Sequence, residues 1–283
     1  MNKLFYLSDD EVQSQLAAKC NLLVHIGLET FQYAVIDAAR DQIKVLAEFE
    51  IPELNGPSDL IKEIENLPES NKLFKYSFNK IKVSFDTFNY TFVPSELYIK
   101  EDEDLYGKFV KPLQDSVLLV NHIPSADIKN VGAIDSEMNA AINRIFYNPR
   151  IFNQASSFVE GIRKIAAQEK KSSLFIDVHG KHIQTGVLEN SQLAFYNIFE
   201  CINSDEFNYY LLSIIEQLSI EPEETKIILS GNVSEGDEIY QRVQKYFNII
   251  TFADTRHLVK YPEKFVSVPP HLYFSLISLD LCE

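Results

Sequence analysis

Cysteine is scarce in this chain. Cys20, Cys201 and Cys282 are all there are, an odd number without Cys-x-x-Cys spacing, which excludes a disulfide framework and points to reduced thiols and the cytoplasm. Long apolar runs are missing too. No stretch approaches the roughly 20 apolar residues of a membrane span, and Asp9, Asp10 and Glu11 interrupt the N-terminal segment, so it lacks the apolar core of a signal peptide. Basic residues are in deficit: Lys plus Arg number 26 against 41 Asp plus Glu, a net charge of −15. Such a field repels phosphate backbones and anionic lipid and argues against a nucleic-acid partner. The glycine-rich P-loop, the GxSxG elbow, the HExxH helix and the GxGxxG turn are absent, so none of those enzyme classes has a motif behind it.

What the chain does have is apolar content. A hydrophobic fraction of 46% with 12% aromatics supplies enough surface to offset chain entropy. A length of 283 residues suits two domains of about 140 residues each better than one core. The pattern divides at residues 1–150 and 151–283.

After a short polar lead, residues 22–27, 31–37 and 42–50 read as three strands joined by turns too short for a helix, an antiparallel meander. Pro52 and the cluster Asn55, Gly56, Pro57, Ser58 stop it, with Ser58 placed to cap a helix over 58–67. Residues 81–85, 88–93 and 117–123 read as further strands, and 136–146 and 153–167 as helices. The acidic run 101–104 reads as a solvated loop.

The same order then recurs. Residues 174–178, 183–188 and 193–199 form a second meander, Ser204 is the expected cap of a helix, 226–229 and 249–252 are strands, 237–247 is a helix, and the apolar tail 271–282 is a buried helix. The meanders overlay at one offset, His25 on Asp177, Gln32 on Gln184 and Val35 on Val187. A turn two residues shorter in the second copy then brings Gln42 onto Gln192. This supports an internal duplication.

A meander followed by helix and strand alternation, twice in one α/β chain, resembles the paired ribonuclease H-like domains of the actin-like ATPase superfamily, and within it a bacterial family of unknown function. In that superfamily the first turn of each half carries Asp-x-Gly, which holds phosphate and organises Mg²⁺, and a Gly-Gly turn late in the second half faces adenosine. Here the first turn reads His25-Ile26-Gly27-Leu28-Glu29-Thr30, with histidine in place of aspartate. The second reads Asp177-Val178-His179-Gly180, with histidine in place of glycine, and the late turn Ser230-Gly231-Asn232 keeps one glycine of two. An imidazole is a poor replacement for a hard oxygen ligand, and a side chain at 179 obstructs the close backbone approach that phosphate needs.

Three functional readings follow. The first is a degenerate nucleotide-binding or partner-binding scaffold that holds another protein in or beside its cleft and keeps its fold when Asp177 becomes Ala. The second is an ATP- and Mg²⁺-dependent ATPase or phosphotransferase. There Asp177 is the catalytic and metal-organising carboxylate, and Gly27, Thr30, Gly180, Ser230, Gly231 and Asn232 line the phosphate and adenosine positions. The third is a metal-dependent phosphoester hydrolase built on Asp177, His179 and His182.

Overall fold

The computed structural model describes residues 1–9, 12–51, 57–110, 115–167 and 172–283. Asp10, Glu11 and the expected turn around Pro52, Asn55 and Gly56 lie outside the described residues.

The first half opens with β1 (Asn2–Ser8) and α1 (Ser14–Ala17), then β2 (Cys20–Ile26), β3 (Thr30–Asp37) and β4 (Gln42–Glu50). There follow α2 (Pro57–Glu65), α3 (Leu67–Ser70) and β5 (Lys80–Phe85). The next stretch carries β6 (Tyr90–Pro94), α4 (Glu103–Gly107), β7 (Ser116–Ile123) and β8 (Ile128–Asp135). Then come α5 (Ser136–Ile145), β9 (Arg150–Asn153) and α6 (Gln154–Ile165). The second half runs β10 (Ser173–His179), β11 (His182–Glu189), β12 (Gln192–Glu200), α7 (Ser204–Gln217), β13 (Lys226–Gly231), α8 (Glu238–Gln244), β14 (Ile249–Phe252) and α9 (Phe274–Ser278).

The strands order as β1-β4-β3-β2-β5-β9 in one sheet, β12-β11-β10-β13-β14 in a second and β6-β8-β7 in a third. In the first, β2 pairs antiparallel with β3 and parallel with β5. In the second, β10 pairs antiparallel with β11 and parallel with β13. The two halves therefore share a meander, a helix, a parallel strand, a second helix, a last parallel strand and a closing helix. The antiparallel hairpin β3–β4 slips register between Val35 and Ile36, and β11–β12 slips between Val187 and Leu188, which are overlaid positions. The turns differ as the overlay requires. Asn190 and Ser191, both at positive φ, make a two-residue loop of the type that suits a tight hairpin, whereas 38–41 fills the first.

Both faces of each main sheet are covered, which is why β2 is buried at every residue and reads as a continuous apolar run rather than an alternation. The outer face of the first sheet packs on α2 and α5 through Ile61, Ile64, Ala141 and Ile142. The outer face of the second packs on α7 and α8 through Phe207, Leu211, Ile214 and Val243. The closing helices α6 and α9 lie against each other and reach both sheets. Gly161 of α6 makes that crossing possible, since a Cβ there would stand 2.2 Å from Ser278 Oγ and 2.7 Å from the Phe274 ring.

Several expectations need correction. The polar lead is β1, an edge strand paired with β4. Strands β8 and β9 went unread because Gly132 and the short Arg150–Asn153 segment break the apolar signal. Ser58 is the second residue of α2, which begins at Pro57. Asn203, not Ser204, caps α7, accepting from the Asp205 and Glu206 amides at 3.0 Å each. The acidic run is a 3-10 turn, Lys100–Asp102, leading into α4.

Candidate functional site

The carboxyl ends of β2, β5, β10 and β13 converge between the two main sheets, the usual place for a ligand in parallel α/β architecture. Asp177 is fully buried there. Its Oδ1 accepts from Ser230 Oγ at 2.7 Å. Its Oδ2 accepts from Ser275 Oγ, from His179 Nε2 at 2.8 Å and from Gln184 Nε2 at 3.4 Å. Burial by itself would raise the Asp177 pKa, but the charge of His179 and the donors His179, Ser275 and Ser230 hold it below the usual carboxylate range. Burial would likewise lower His179, and the Asp177 carboxylate instead raises it to about 9. The two residues form a buried ion pair.

His25 stands at the matching position of the first sheet. Its Nδ1 bonds Ser84 Oγ at 2.9 Å, and its Nε2 lies 3.4 Å from Asp86 Oδ1. Burial lowers its pKa and outweighs the pull of Asp86, so the ring is neutral near pH 7. The rings of His25 and His179 are 5.7 Å apart, which joins the two turns.

The turn residues are also brought together, and the amides of Gly27, Gly231 and Asn232 are already engaged. The Gly27 amide donates to Thr30 O at 2.8 Å, Gly231 to His271 O at 2.9 Å and Asn232 to Val178 O at 2.7 Å. Gly231, at φ +75°, lets its chain lie on β10, since a Cβ would meet Val178 O at 2.1 Å. At Gly180, φ +57°, a Cβ would stand 1.8 Å from Glu29 Oε2. The first turn thus presents its own carboxylate to the second, in the gap between the two.

The C-terminal segment spans that gap. Tyr273 Oη donates to Glu48 Oε2 at 3.1 Å, while Ser275, two residues on, donates to Asp177. The third sheet closes a flank through Tyr90, whose ring lies 5.5 Å from Tyr196 and whose hydroxyl bonds Asn197 Oδ1 at 3.3 Å. Phe88 lies 5.5 Å from the ring of buried His182. His182 therefore sits against an aromatic ring, and among the described residues no cluster of three or more His, Cys, Asp or Glu side chains is placed to hold a metal ion.

This donor set does not fit Mg-triphosphate. Asp177 is engaged by four protein donors and the amides of Gly27, Gly231 and Asn232 by protein carbonyls, while Glu29 and Asp86 add negative charge beside the two turns. Mg²⁺ needs free hard oxygens, and phosphate needs free amides. On this geometry Asp177→Ala strands a buried imidazolium and two buried hydroxyls, which is expected to lower stability.

Sequence reasoning missed Ser84, Asp86, Glu48, Tyr273 and Ser275. For Ser84 and Asp86 a signal existed, since Ser84 is near the end of β5, the strand parallel to β2, and Asp86 directly follows it. Nothing local marks the other three.

Among solved structures the chain is similar to a protein of actin-like ATPase fold and unknown function from Bacteroides thetaiotaomicron VPI-5482, at 17% identity and a TM-score of 0.81, covering 97% of this chain and 100% of that one. It is similar to the PilM–PilN type IV pilus biogenesis complex at 13% identity and a TM-score of 0.62, covering 92% and 97%. The ethanolamine utilization protein EutJ from Carboxydothermus hydrogenoformans follows at 9% identity and 0.50, covering 94% and 89%. At these identities the likeness establishes the fold, an actin-like ATPase arrangement of two ribonuclease H-like units. No curated protein matches the chain in sequence. Residues 9–250 match the family described as protein of unknown function, DUF3822, and the chain belongs to that family.

Proposed function

We propose that this chain is a degenerate member of the actin-like fold that neither hydrolyses ATP nor depends on Mg²⁺, and that works as a cytoplasmic scaffold for a protein partner. Its two lobes, one built on the β1–β9 sheet and one on the β10–β14 sheet, are clamped rather than hinged. The partner is held beside the cleft, not within it. The observation that carries this reading is the engagement of Asp177 by Ser230 on Oδ1 and by Ser275, His179 and Gln184 on Oδ2. A fully buried carboxylate turned toward four protein donors supports a site that does not hold a metal. The similarity to PilM–PilN, a complex of two proteins, supports a protein partner. The free, buried Cys20, Cys201 and Cys282 support a reducing compartment.

The test is a thermal-shift titration with millimolar Mg-ATP and a phosphate-release assay, on the wild type and on Asp177→Asn, which keeps the side-chain shape. Binding at 100 times Kd would raise stability by about 2.7 kcal/mol. No shift and no phosphate release above blank are expected. Turnover by the wild type that disappears in a folded Asp177→Asn protein would overturn the proposal in favour of the Mg²⁺-dependent ATPase.

A further inference from the structure

Residues 95–110, which follow β6, lie against one face of the third sheet and carry more apolar side chains than that face uses. Tyr98, Tyr106 and Val110 pack inward with Val131 and Ala133. The rings of Tyr98 and Tyr106 stack at 5.4 Å. The Tyr106 hydroxyl staples the segment, donating to Leu97 O at 3.1 Å and accepting from the Ile99 amide at 2.9 Å. That arrangement fixes Leu97, Ile99, Leu105 and Phe109 on the outside, 62%, 52%, 48% and 75% exposed. Single exposed apolar residues are ordinary, but four large ones on one short, internally braced segment mark an interaction site.

Charge selects the occupant. Exposed Glu96 and Glu101 and half-buried Asp102 lie in the same segment with Lys100 and Lys108, Glu103 accepts from the Tyr98 hydroxyl, and the chain carries a net charge of −15. A second copy would bring the same acids face to face, and an anionic bilayer would repel them. A segment with apolar residues on one side and Lys or Arg beside them buries the four side chains and meets the acids with opposite charge. We propose that this patch docks an amphipathic, basic segment of a partner protein, as the binding surface of the scaffold on whose reading this inference rests.

The experiment measures fluorescence anisotropy of a labelled Leu/Lys peptide of about 18 residues, about five turns of helix, with apolar residues at helical spacing. Its control is the same composition scrambled. The proteins are the wild type and the double variant Leu97→Ser, Phe109→Ser, whose fold is checked by circular dichroism. Both residues are exposed, so the fold is expected to persist. The amphipathic peptide should bind at least about tenfold more tightly than the scrambled one, and the double variant should lose at least about tenfold, a difference of about 1.4 kcal/mol. Equal binding of both peptides, or an unchanged Kd in the double variant, overturns the proposal. So does a sedimenting dimer that the double variant dissolves, or binding to phosphatidylserine vesicles. These outcomes bear on the docking surface alone, whereas Asp177-dependent ATP turnover bears on the scaffold reading alone.

Discussion

His25 and Asp177 hold the same place in the two sheets. His25 pairs in register with Gln32 and Ser84, and Asp177 with Gln184 and Ser230. Each titratable side chain is hydrogen-bonded to the serine on its parallel neighbour. The geometry of the site is therefore duplicated while its charge is not, since one copy carries a neutral imidazole and the other a carboxylate.

The pair of serines makes the difference measurable. A hydrogen bond to a charged acceptor contributes about 1.5–3 kcal/mol and a neutral one about 0.5–1.5 kcal/mol. Ser230→Ala is expected to lower unfolding free energy about twice as much as Ser84→Ala, as read by urea denaturation of each variant. Equal losses would mean that Asp177 is not held as an anion.

Removing Asp177 should cost more than removing any single donor to it. Breaking a buried pair by deleting one partner costs about 3–5 kcal/mol, a large part of a typical domain's stability. Asp177→Ala is expected in that range. Asp177→Asn should lose about half as much, because the amide oxygen still accepts from Ser230 and His179 can shed its proton. Chemical denaturation of both variants checks the order.

Stability should be greatest near pH 6.5. His179 has a folded pKa of about 9 against its ordinary 6.5, so the folded state keeps a proton that the unfolded chain loses. Its contribution is complete below pH 6.5 and is lost as pH rises toward 9. Asp177, held below 3.8, contributes above 3.8 and is lost as pH falls through its depressed value. His25, lowered by burial, contributes above pH 6.5, and stability falls below that as the unfolded chain takes up its proton. His179→Gln should flatten the alkaline limb and also shift the acid limb, because the charge of His179 lowers both Asp177 and His25. Each proton contributes a slope of at most about 1.4 kcal/mol per pH unit, and a thermal-melt series from pH 5 to about 9 reads both limbs.

The two left-handed glycines should respond very differently to a methyl group. At Gly180 the obstacle is the far end of the Glu29 side chain, which can swing away, leaving about 1 kcal/mol of backbone strain. At Gly231 the obstacle is the Val178 backbone, which the sheet holds in place. Gly231→Ala is expected to cost upwards of 3 kcal/mol, and Gly180→Ala in a Glu29→Ala background less than in the wild type. Comparable losses at the two positions would show that β10 and β13 do not hold that contact.

The meanders were legible because strand alternation, short turns and the fixed offset between Val35 and Val187 are local patterns repeated in the chain. The missing pieces were those whose signal is not local. Edge strand β1 looks polar because only its pairing with β4 makes it a strand, and β8 is interrupted by Gly132, which lies against Asn153 Nδ2. The altered turns at His25 and His179 were visible as substitutions, whereas their consequence was not.

By itself the sequence determined an α/β chain with a doubled meander, an excess of acid and two eroded turns, since each of these follows from residue type and short-range spacing. Only the tertiary structure decided which side chains meet between the two main sheets. Glu48, Tyr273, Ser275 and Asp177 lie up to 225 residues apart where they bond. Hydrogen bonds over that separation are set by how α9 closes across two sheets, which no window of sequence contains.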